Sequence, residues 1–411
     1  MKTTVTRRAY FFFLRIVNNL RLWVFALCCL PIVLVCRIIR PIFWIRFGYF
    51  NVNRIGHFVA DVAQYLSERE LGENPVPTND IFFFKGKPAN HCFEKIANRE
   101  LKVFAIVEAL FLANRLLPGG RKHAIYPAQE IRGSRDINAV TSKVLAPLNF
   151  TKTECEQGKE YLSSFGIREN DKYVCLIVRD DSYLKKTFKN VDWNYHAFRN
   201  SLISSYVDAI LQLNARGYYV FRMGKAVNES LSIGTSKFID YANSFQRSDF
   251  LDIWLVANCC FTISTSTGLD DVAIAFKKPV VFVNHLPVGD CRTGSENFLE
   301  LFKLLQWKAT GRYVGLQEQI DYGILNCYRQ SRFDDLGIEV IDNTPDEITA
   351  AVLEMEDRIS GRWHSTEKNQ EKQKRFFEIL AGSADFGKRH GLVRGNISSS
   401  FLAQQGDWFL Q

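Results

Sequence analysis

The side chains best suited to bind a phosphate lie in loops that follow predicted strands. Arginine, lysine, hydroxyl groups and glycines at helix starts are the groups with which proteins bind phosphates. Ligands of parallel α/β sheets lie outside the carboxyl ends of the strands, so these loops are where we expect a binding site. The four loops are Asn51–His57 (NVNRIGH), Arg179–Asp181 (RDD), Arg222–Lys225 (RMGK) and Ser264–Gly268 (STSTG).

The turn Ser264–Gly268 separates an apolar strand from a short predicted helix. A diphosphate could accept hydrogen bonds from its hydroxyls and from the first amides of that helix, which have no intrahelical partner. Alternatively, the hydroxyls only cap the helix. Asp270 and Asp271 suit the positive end of the helix but repel an anion, so we expect the phosphates to one side of the turn. The candidate contacts are Ser264, Ser266, Thr267 and Gly268.

Basic side chains after two other strands could neutralise a diphosphate. Arg222 and Lys225 flank Gly224 after the strand YYVF, and the alternative is that they form a solvated strand end. Arg179 follows the strand KYVCLIV. Guanidinium and ammonium groups in these positions favour an anionic ligand.

Two neighbouring pairs leave alternatives open. Arg199 and Asn200 precede a predicted helix, and they either cap it or contact the ligand. Asp180 and Asp181 either bind a metal ion or form an ordinary turn. Because the chain contains no CxxC metal spacing and no P-loop, we expect neither a metal site nor a cofactor.

His57 lies at the junction of the first predicted strand and the helix that follows it. A neutral imidazole there could accept a proton from a hydroxyl nucleophile; alternatively, it only packs or caps the helix. Asp61 lies one helical turn later on the same face, where it could orient His57 or act as the base itself. The rest of this loop, on the acceptor side, is Asn53, Arg54 and Gly56.

The first fifty residues are basic and apolar: they contain eight Lys or Arg and no acidic residue. Anionic lipid surfaces attract such segments, whereas the nearly balanced remainder shows no nucleic-acid footprint. The uncharged run Leu22–Cys36 contains Pro31 and would be about 22 Å long as a helix, against about 30 Å of hydrocarbon. It is therefore an interfacial or re-entrant helix, a full span, or a helix buried in the fold.

From Ile42 onwards, strand and helix patterns alternate in two series. This alternation predicts two doubly wound parallel sheets, and the length of 411 residues agrees with two domains. Ten cysteines without repeated spacing indicate a reduced, cytosolic chain. The predicted divisions are 1–41 (membrane-associated helices), 42–168 and 169–365 (Rossmann-like domains), and 366–411 (a C-terminal helix and tail packing back on the N-terminal domain).

Several segments in fixed order resemble a family of bacterial glycosyltransferases with the GT-B fold, associated with surface-polysaccharide gene sets. The segments are RIGHFVADVAQYL, WNYHAFRNSLISSY, GYYVFRMGK, FIDYANSFQRSDFLDIWLVANC and FTISTSTGLDDVAIAFKKPVVFVNHLP. More distantly, the layout is similar to the lipopolysaccharide heptosyltransferases. Those enzymes carry the base in a Gly-Asp loop after the first strand, where this chain has Gly56-His57.

The resemblance implies a nucleotide-sugar donor in the second domain and a glycan or lipid-linked acceptor in the first. By the heptosyltransferase analogy, His57 or Asp61 deprotonates the acceptor, with inversion and without a metal ion. Such an enzyme would lie at the cytoplasmic face of the bacterial inner membrane, peripheral or N-terminally anchored. The rival functions are a nucleotide-sugar epimerase of the same fold and a non-catalytic nucleotide-sugar-binding component of a polysaccharide assembly complex.

Overall fold

The computed structural model of the chain describes residues 20–72, 78–180, 194–227, 229–391 and 393–411. Its described residues divide into two compact units. The first contains 20–89 and 94–134, and the second contains 90–93 and 135–411. Asp181 and the basic residues before Leu20, which the sequence singled out, lie outside the described residues.

The first unit is built on a short parallel sheet. Among the described residues, three strands pair in the order β2-β1-β3, all parallel. The strands are β1 (Trp44–Asn51), β2 (Thr78–Lys85) and β3 (Ala124–Ile125). The helices are α1 (Leu20–Cys28), α2 (Leu30–Ile38), α3 (Ile55–Leu71), α4 (His91–Glu100), whose first residues belong to the second unit, α5 (Ile106–Leu116) and α6 (Ala128–Arg132).

The second unit contains a larger parallel sheet, with seven described strands in the order β12-β9-β8-β7-β4-β5-β6. These are β4 (Lys172–Ile177), β5 (Tyr218–Met223), β6 (Phe238–Ile239), β7 (Thr262–Ser264), β8 (Val280–His285), β9 (Phe298–Phe302) and β12 (Asn396–Ile397). An antiparallel pair, β10 (Leu304–Trp307) and β11 (Ile338–Ile341), follows β9. The helices are α7 (Lys152–Ser163), α8 (Val207–Ala215), α9 (Asp249–Asn258), α10 (Asp270–Ala275), α11 (Leu316–Asp321), α12 (Gln330–Asp335), α13 (Pro345–Ile359), α14 (Glu367–Ala381), α15 (Phe386–Arg389) and α16 (Ser399–Phe409).

The predicted α/β class with parallel sheets is confirmed. Buried strands read as continuous apolar runs, and β8 is buried at every position. The run 92–117 forms two helices. Val103 pairs with Phe82 at the edge of β2, and this backbone pairing interrupts the helix between α4 and α5.

The division into units differs from the predicted domains at two places. The change of unit comes at Ser134–Arg135 rather than at 168–169, and the last helices belong to the second unit. Phe376 of α14 and Phe401 of α16 pack on Phe302 at the end of β9, with ring centroids 5.7 and 6.0 Å away. An amphipathic pattern shows that a helix has a buried face, but it does not identify the sheet that covers it.

The segment predicted to meet the membrane forms the two helices α1 and α2. No single helix among the described residues is long and apolar enough to cross a membrane, but these two, bent by 44°, meet the criteria of length and composition together. One face packs on the core of the first unit through Ala26, Cys29, Val33 and Cys36. The opposite face leaves apolar side chains exposed: Trp23, Val24, Phe25, Leu27, Ile32, Leu34, Val35 and Ile38.

Candidate active site

His57, Ser134 and Asp61 form a hydrogen-bonded chain in the first unit. His57 lies in the first turn of α3, and Asp61 lies one turn later on the same helix. The Ser134 hydroxyl donates to Asp61 Oδ1 at 3.0 Å and lies 3.0 Å from His57 Nδ1. The predicted pair is thus joined through a serine that follows α6.

This chain of bonds sets the imidazole tautomer. Because Ser134 donates its proton to Asp61, its oxygen accepts from His57 Nδ1–H when the imidazole is neutral. The lone pair then resides on Nε2, which can accept a proton. A carboxylate that acts on a histidine through a bridging hydroxyl can also stabilise the imidazolium that forms.

Asp61 is buried, with 2% of its surface exposed. Burial raises the pKa of Asp61 to about 7, against the lowering effect of hydrogen bonds from Ser134 and from the backbone N–H of Gln129. The Gln129 bond to Oδ1 is 3.1 Å long, while Oδ2 has no hydrogen-bond partner among the described residues. A carboxyl group that titrates near neutrality inside a polar cluster is typical of a functional site.

Ser134 adopts a backbone conformation that favours glycine, with φ of 59°. A serine held there costs conformational energy, and strain of this kind clusters at functional sites. Asn53 and Arg54 are exposed in the loop between β1 and α3, and Gly56 is buried in the first turn of α3. The loop follows the carboxyl end of β1, which is the position that the sequence predicts for it.

The turn Ser264–Gly268 lies at the carboxyl end of β7 in the second unit, but Asp270 occupies much of its hydrogen-bonding capacity. The Asp270 carboxylate accepts from the Ser264 hydroxyl and from the Thr267 N–H, each at 2.7 Å. Only 1% of Asp270 is exposed, and burial raises its pKa. Ser264 is therefore turned inward, and the half-exposed residues Thr267 and Gly268 form the outer part of the turn.

Arg179, Arg199 and Asn200 lie at the same edge of the sheet. Arg179 N–H donates to Thr265 Oγ1 at 2.8 Å, which joins the ends of β4 and β7. Arg199 is half-buried, and its guanidinium donates to the Ser266 carbonyl oxygen. The Asn200 carbonyl accepts from the buried Lys303 ammonium at 2.7 Å. Arg179 and Arg199 are thus brought to the turn, where Arg199 also has a structural role, whereas the Asn200 carbonyl oxygen contacts Lys303.

Arg222 differs from the prediction that it presents its charge at a strand end. It lies inside β5 with 3% of its surface exposed. Its Nη1 donates to the Glu229 carbonyl oxygen at 2.6 Å and lies 3.4 Å from Asp240 Oδ2. The guanidinium therefore fixes the loop after β5. Gly224 and Lys225 lie in that loop, with Lys225 Nζ 3.8 Å from Asp249 Oδ1.

The chain is similar in structure to several solved glycosyltransferases. ADP-heptose lps heptosyltransferase II of E. coli shows 12% identity over 76% of this chain and all of its own, with a TM-score of 0.40. A family 9 glycosyl transferase from Veillonella parvula shows 10% identity over 58% of this chain and 80% of its own, with a TM-score of 0.33. E. coli heptosyltransferase WaaC with ADP shows 12% identity over 58% of this chain and 87% of its own, with a TM-score of 0.31.

No protein-family model matches the chain, and no curated protein is significantly similar to it in sequence. Identities of 10 to 12% and TM-scores of 0.40 and below are too low to transfer a function. The chemistry has to be argued from the residues of the two clusters.

Sequence reasoning missed three of the residues that complete these clusters. Gln129 of α6 and Ser134 just after that helix contact Asp61 from more than sixty positions away, and Arg292 Nη2 lies 3.4 Å from Asp271 Oδ1. A small polar residue beside Gly133 was the only local signal for Ser134. Arg292 and Gln129 carry no local signal.

Proposed function

We propose that this protein is a glycosyltransferase that moves a sugar from a nucleotide-sugar donor to a hydroxyl of a lipid-linked glycan acceptor. The observation that carries the proposal is the chain His57–Ser134–Asp61. It equips the first unit with a base that has an oriented imidazole and a buried carboxylate behind it. The family resemblance of the sequence segments supports the same class of reaction.

In the proposed reaction, His57 Nε2 accepts the proton of the acceptor hydroxyl. The acceptor oxygen attacks the anomeric carbon as the bond from that carbon to the diphosphate oxygen breaks, which inverts the configuration in a single displacement. The electron pair of the broken bond leaves with the nucleoside diphosphate. The Asp61 carboxylate stabilises the imidazolium through Ser134, and general-base catalysis of this kind contributes about 10²–10⁴-fold.

The second unit supplies the proposed diphosphate site at the carboxyl ends of β4 and β7. Thr267 and Gly268 would contact the diphosphate from the half-exposed part of the turn, and Arg179, Arg199 and Lys225 would supply positive charge. Protein cations stabilise the leaving group directly in this proposal, without a metal ion. Because Asp270 already accepts the Thr267 N–H, the phosphates would lie to the outer side of the turn.

We infer that the exposed apolar face of α1 and α2 associates with the membrane. Arg21 is exposed on α1, and Arg40 stacks over the ring of Trp44 at 4.7 Å just after α2. An apolar face with flanking arginines suits an anionic lipid surface. Association there would hold the enzyme at the cytoplasmic face of the bacterial inner membrane, where a lipid-linked acceptor of surface-polysaccharide synthesis would be found.

The donor site is tested by the melting temperature of the full chain with ADP, GDP, UDP, CDP and their sugar conjugates. At least one should raise the melting temperature of the wild type, and Thr267→Glu should abolish the rise because a carboxylate on the turn repels a diphosphate. Thr310→Glu places the same charge on an exposed threonine of the second unit and should keep the rise. Absence of stabilisation by every nucleotide would contradict the proposal.

Catalysis is tested with the stabilising nucleotide sugar and bacterial membranes that supply the acceptor. Wild type should release nucleoside diphosphate and transfer the sugar, whereas His57→Ala should lose at least about 100-fold in rate. His364→Ala, at an exposed histidine, is the matched control. Conversion of the sugar without release of nucleoside diphosphate would indicate an epimerase, and binding without turnover would indicate a binding component.

A further inference from the structure

The short helix α6 and a residue just after it supply two hydrogen bonds to Asp61. The Gln129 N–H donates to Asp61 Oδ1 at 3.1 Å, and the Ser134 hydroxyl donates to the same oxygen at 3.0 Å. Ser134 also contacts His57, so it joins the two titratable groups of the candidate base. A displacement of α6 would break these contacts together. The position of this helix therefore decides whether the chain His57–Ser134–Asp61 forms.

Apolar packing contributes little to the position of α6. The structure describes all five of its residues, and among them only Ala128 is buried. Ile131 is 66% exposed. An isolated helix of this length is not stable in water, because helix nucleation costs more free energy than one turn recovers. The helix therefore depends on polar contacts with its neighbours.

Glu130 joins α6 to the strand β1. The Tyr49 hydroxyl donates to Glu130 Oε2 at 2.5 Å. Asn51 Nδ2 donates to Glu130 Oε1 at 3.3 Å and to Gln129 Oε1 at 3.2 Å. Residues two positions apart on a strand point to the same face, so both carboxylate oxygens of Glu130 bond to one face of β1.

Tyr49 is a firm anchor for this carboxylate. Its side chain is buried, and its ring lies against Phe83 and Phe111 with centroids 5.4 and 5.2 Å away. Burial raises the pKa of Tyr49, and the hydrogen bond to Glu130 raises it further, so the hydroxyl keeps its proton and donates it. A donor held by aromatic packing fixes the position of its acceptor better than a mobile surface side chain does.

Another polar contact of α6 lies at the surface. Arg132 pairs with Glu68 of α3, whose side chain is 44% exposed. Exposed ion pairs contribute little to stability, because water screens the charges and both side chains lose conformational freedom. The carboxylate of Glu130, in contrast, accepts from a buried tyrosine. Glu130 is therefore a stronger anchor of α6 than Arg132 is.

We propose that Glu130 is a positioning residue for the candidate base. By its bonds to β1, it holds α6 in the place from which the helix and Ser134 reach Asp61. This role requires no contact between Glu130 and a substrate. The effect of Glu130 on sugar transfer rests on the proposed function, in which Asp61 acts on His57, whereas its effect on the position of α6 does not.

Hydrogen exchange of the full chain, followed by mass spectrometry of the segment 128–134, measures how firmly α6 is held. Glu130→Ala and Tyr49→Phe should each speed exchange there at least about tenfold, since each loses a hydrogen bond to a charged group. The double variant should exchange no faster than Glu130→Ala, because both changes remove the same bond. Glu70→Ala removes an exposed glutamate near the end of α3 and should exchange as the wild type does.

Steady-state kinetics with the nucleotide sugar found in the thermal screen tests the consequence for catalysis. Glu130→Ala should lower kcat about tenfold, within the range of general-base catalysis, with little change in KM and in the melting temperature. Glu130→Gln keeps an oxygen that accepts from Tyr49 and should retain most of the activity, and Glu70→Ala should retain all of it.

Two outcomes would overturn the proposal. One is exchange of the segment 128–134 in Glu130→Ala at the rate of the wild type. The other is faster exchange there while kcat stays as in the wild type, which would make Glu130 a structural residue only. Absence of sugar transfer by the wild type would instead contradict the proposed function, and hydrogen exchange would then decide by itself whether Glu130 holds α6.

Discussion

Ser134 is the residue through which His57 and Asp61 act on each other, and nothing near it in the sequence identifies that role. Its hydroxyl is 3.0 Å from both partners. Its backbone suits glycine better than serine. Because glycine adopts this backbone conformation without strain, the Ser134 hydroxyl can be removed by substitution without damage to the fold.

We expect Ser134→Gly to separate catalysis from stability. Glycine accepts the φ of 59° without strain, so the melting temperature should stay or rise slightly. The imidazole loses the contact that orients it, and kcat should fall about 10- to 100-fold, within the range of general-base catalysis, with little change in KM. The measurement is steady-state kinetics with the nucleotide sugar found in the thermal screen. A kcat within twofold of the wild type would show that the bridge is only structural.

The raised pKa of Asp61 predicts how the free energy of unfolding depends on pH. Because its folded-state pKa is about 7 instead of 3.8, the folded protein holds this proton more tightly than the unfolded chain does. The resulting stabilisation is fully present below about pH 4 and is lost as the pH rises through about 7. Relative to Asp61→Asn, the wild type should therefore lose at most about 3 kcal/mol of unfolding free energy between pH 5 and pH 8, at 1.36 kcal/mol per pH unit.

Denaturant unfolding of both proteins at pH 5 and pH 8 measures this difference. Asparagine can still accept from Ser134 and Gln129, so the variant should fold while its transfer activity falls. Equal stability differences at the two pH values would mean that Asp61 has an ordinary pKa in the folded protein.

At the scale of elements, the position of helix α7 in the second unit is set by its packing against another helix, which the sequence pattern does not identify. The sequence predicts this helix, and Thr151 and Glu154 close its first turn as a capping box. Its place in the second unit depends on Gly158, which lies against the ring of Trp254 in α9. A Cβ atom added at Gly158 would lie 2.0 Å from Trp254 Cε2, so the two helices approach as closely as glycine allows.

We expect Gly158→Ala to destabilise the second unit. Alanine improves helix propensity by about 1 kcal/mol, but the clash with Trp254 forces the helices apart, and overpacking of this kind costs about 1–3 kcal/mol or more. The melting temperature should fall. Gly387→Ala, in helix α15 where nothing lies within 4 Å of the added Cβ, is the matched control and should be neutral or stabilising. An unchanged melting temperature for Gly158→Ala would show that the contact relaxes without cost.

Arg37 anchors helix α2 to the first unit, in addition to the buried face of the helix. The Arg37 guanidinium donates to Asn114 Oδ1 at 2.7 Å and to the Pro118 carbonyl oxygen at 2.6 Å. These bonds and the buried face of α2 hold the exposed apolar face in a fixed orientation on the unit. A helix attached in this way is a rigid docking element.

At the scale of the whole molecule, the exposed face of α1 and α2 predicts binding to anionic membranes. Ile38 is 76% exposed, and Leu34 lies one turn earlier on the same helix. Burying such a side chain contributes about 1.5–3 kcal/mol, so the double variant Leu34→Asp, Ile38→Asp should bind vesicles of anionic phospholipid at least about tenfold more weakly. Flotation of the full chain with the vesicles measures the bound fraction.

Phe245→Asp provides the control for this prediction. Phe245 is fully exposed in the second unit, so its substitution removes an even more exposed apolar side chain from another part of the surface. It should leave vesicle binding unchanged. Equal binding by the wild type and the double variant would contradict a role of α2 in membrane association.

The sequence alone determined the class of the fold and most element positions. Strands β4, β5 and β7 and the short helix α10 fall where the apolar runs and the turn predict them, because hydrophobic period and turn chemistry are local properties of the chain. The sequence also predicts that the strand-end loops lie together, since the carboxyl ends of parallel strands meet at one edge of a sheet. His57 and Asp61 were placed correctly on one helix face because residues four positions apart share a face of an α-helix.

Tertiary structure decided everything that depends on residues distant in the chain. Ser134 joins the proposed base only because the segment after α6 packs beside α3. Arg222 is withdrawn from the strand end because its guanidinium bonds to the Glu229 carbonyl oxygen and lies beside Asp240. The assignment of α14 and α16 to the second unit has the same origin. Hydrogen-bond geometry and burial arise between elements, and a periodic pattern within one element carries no information about them.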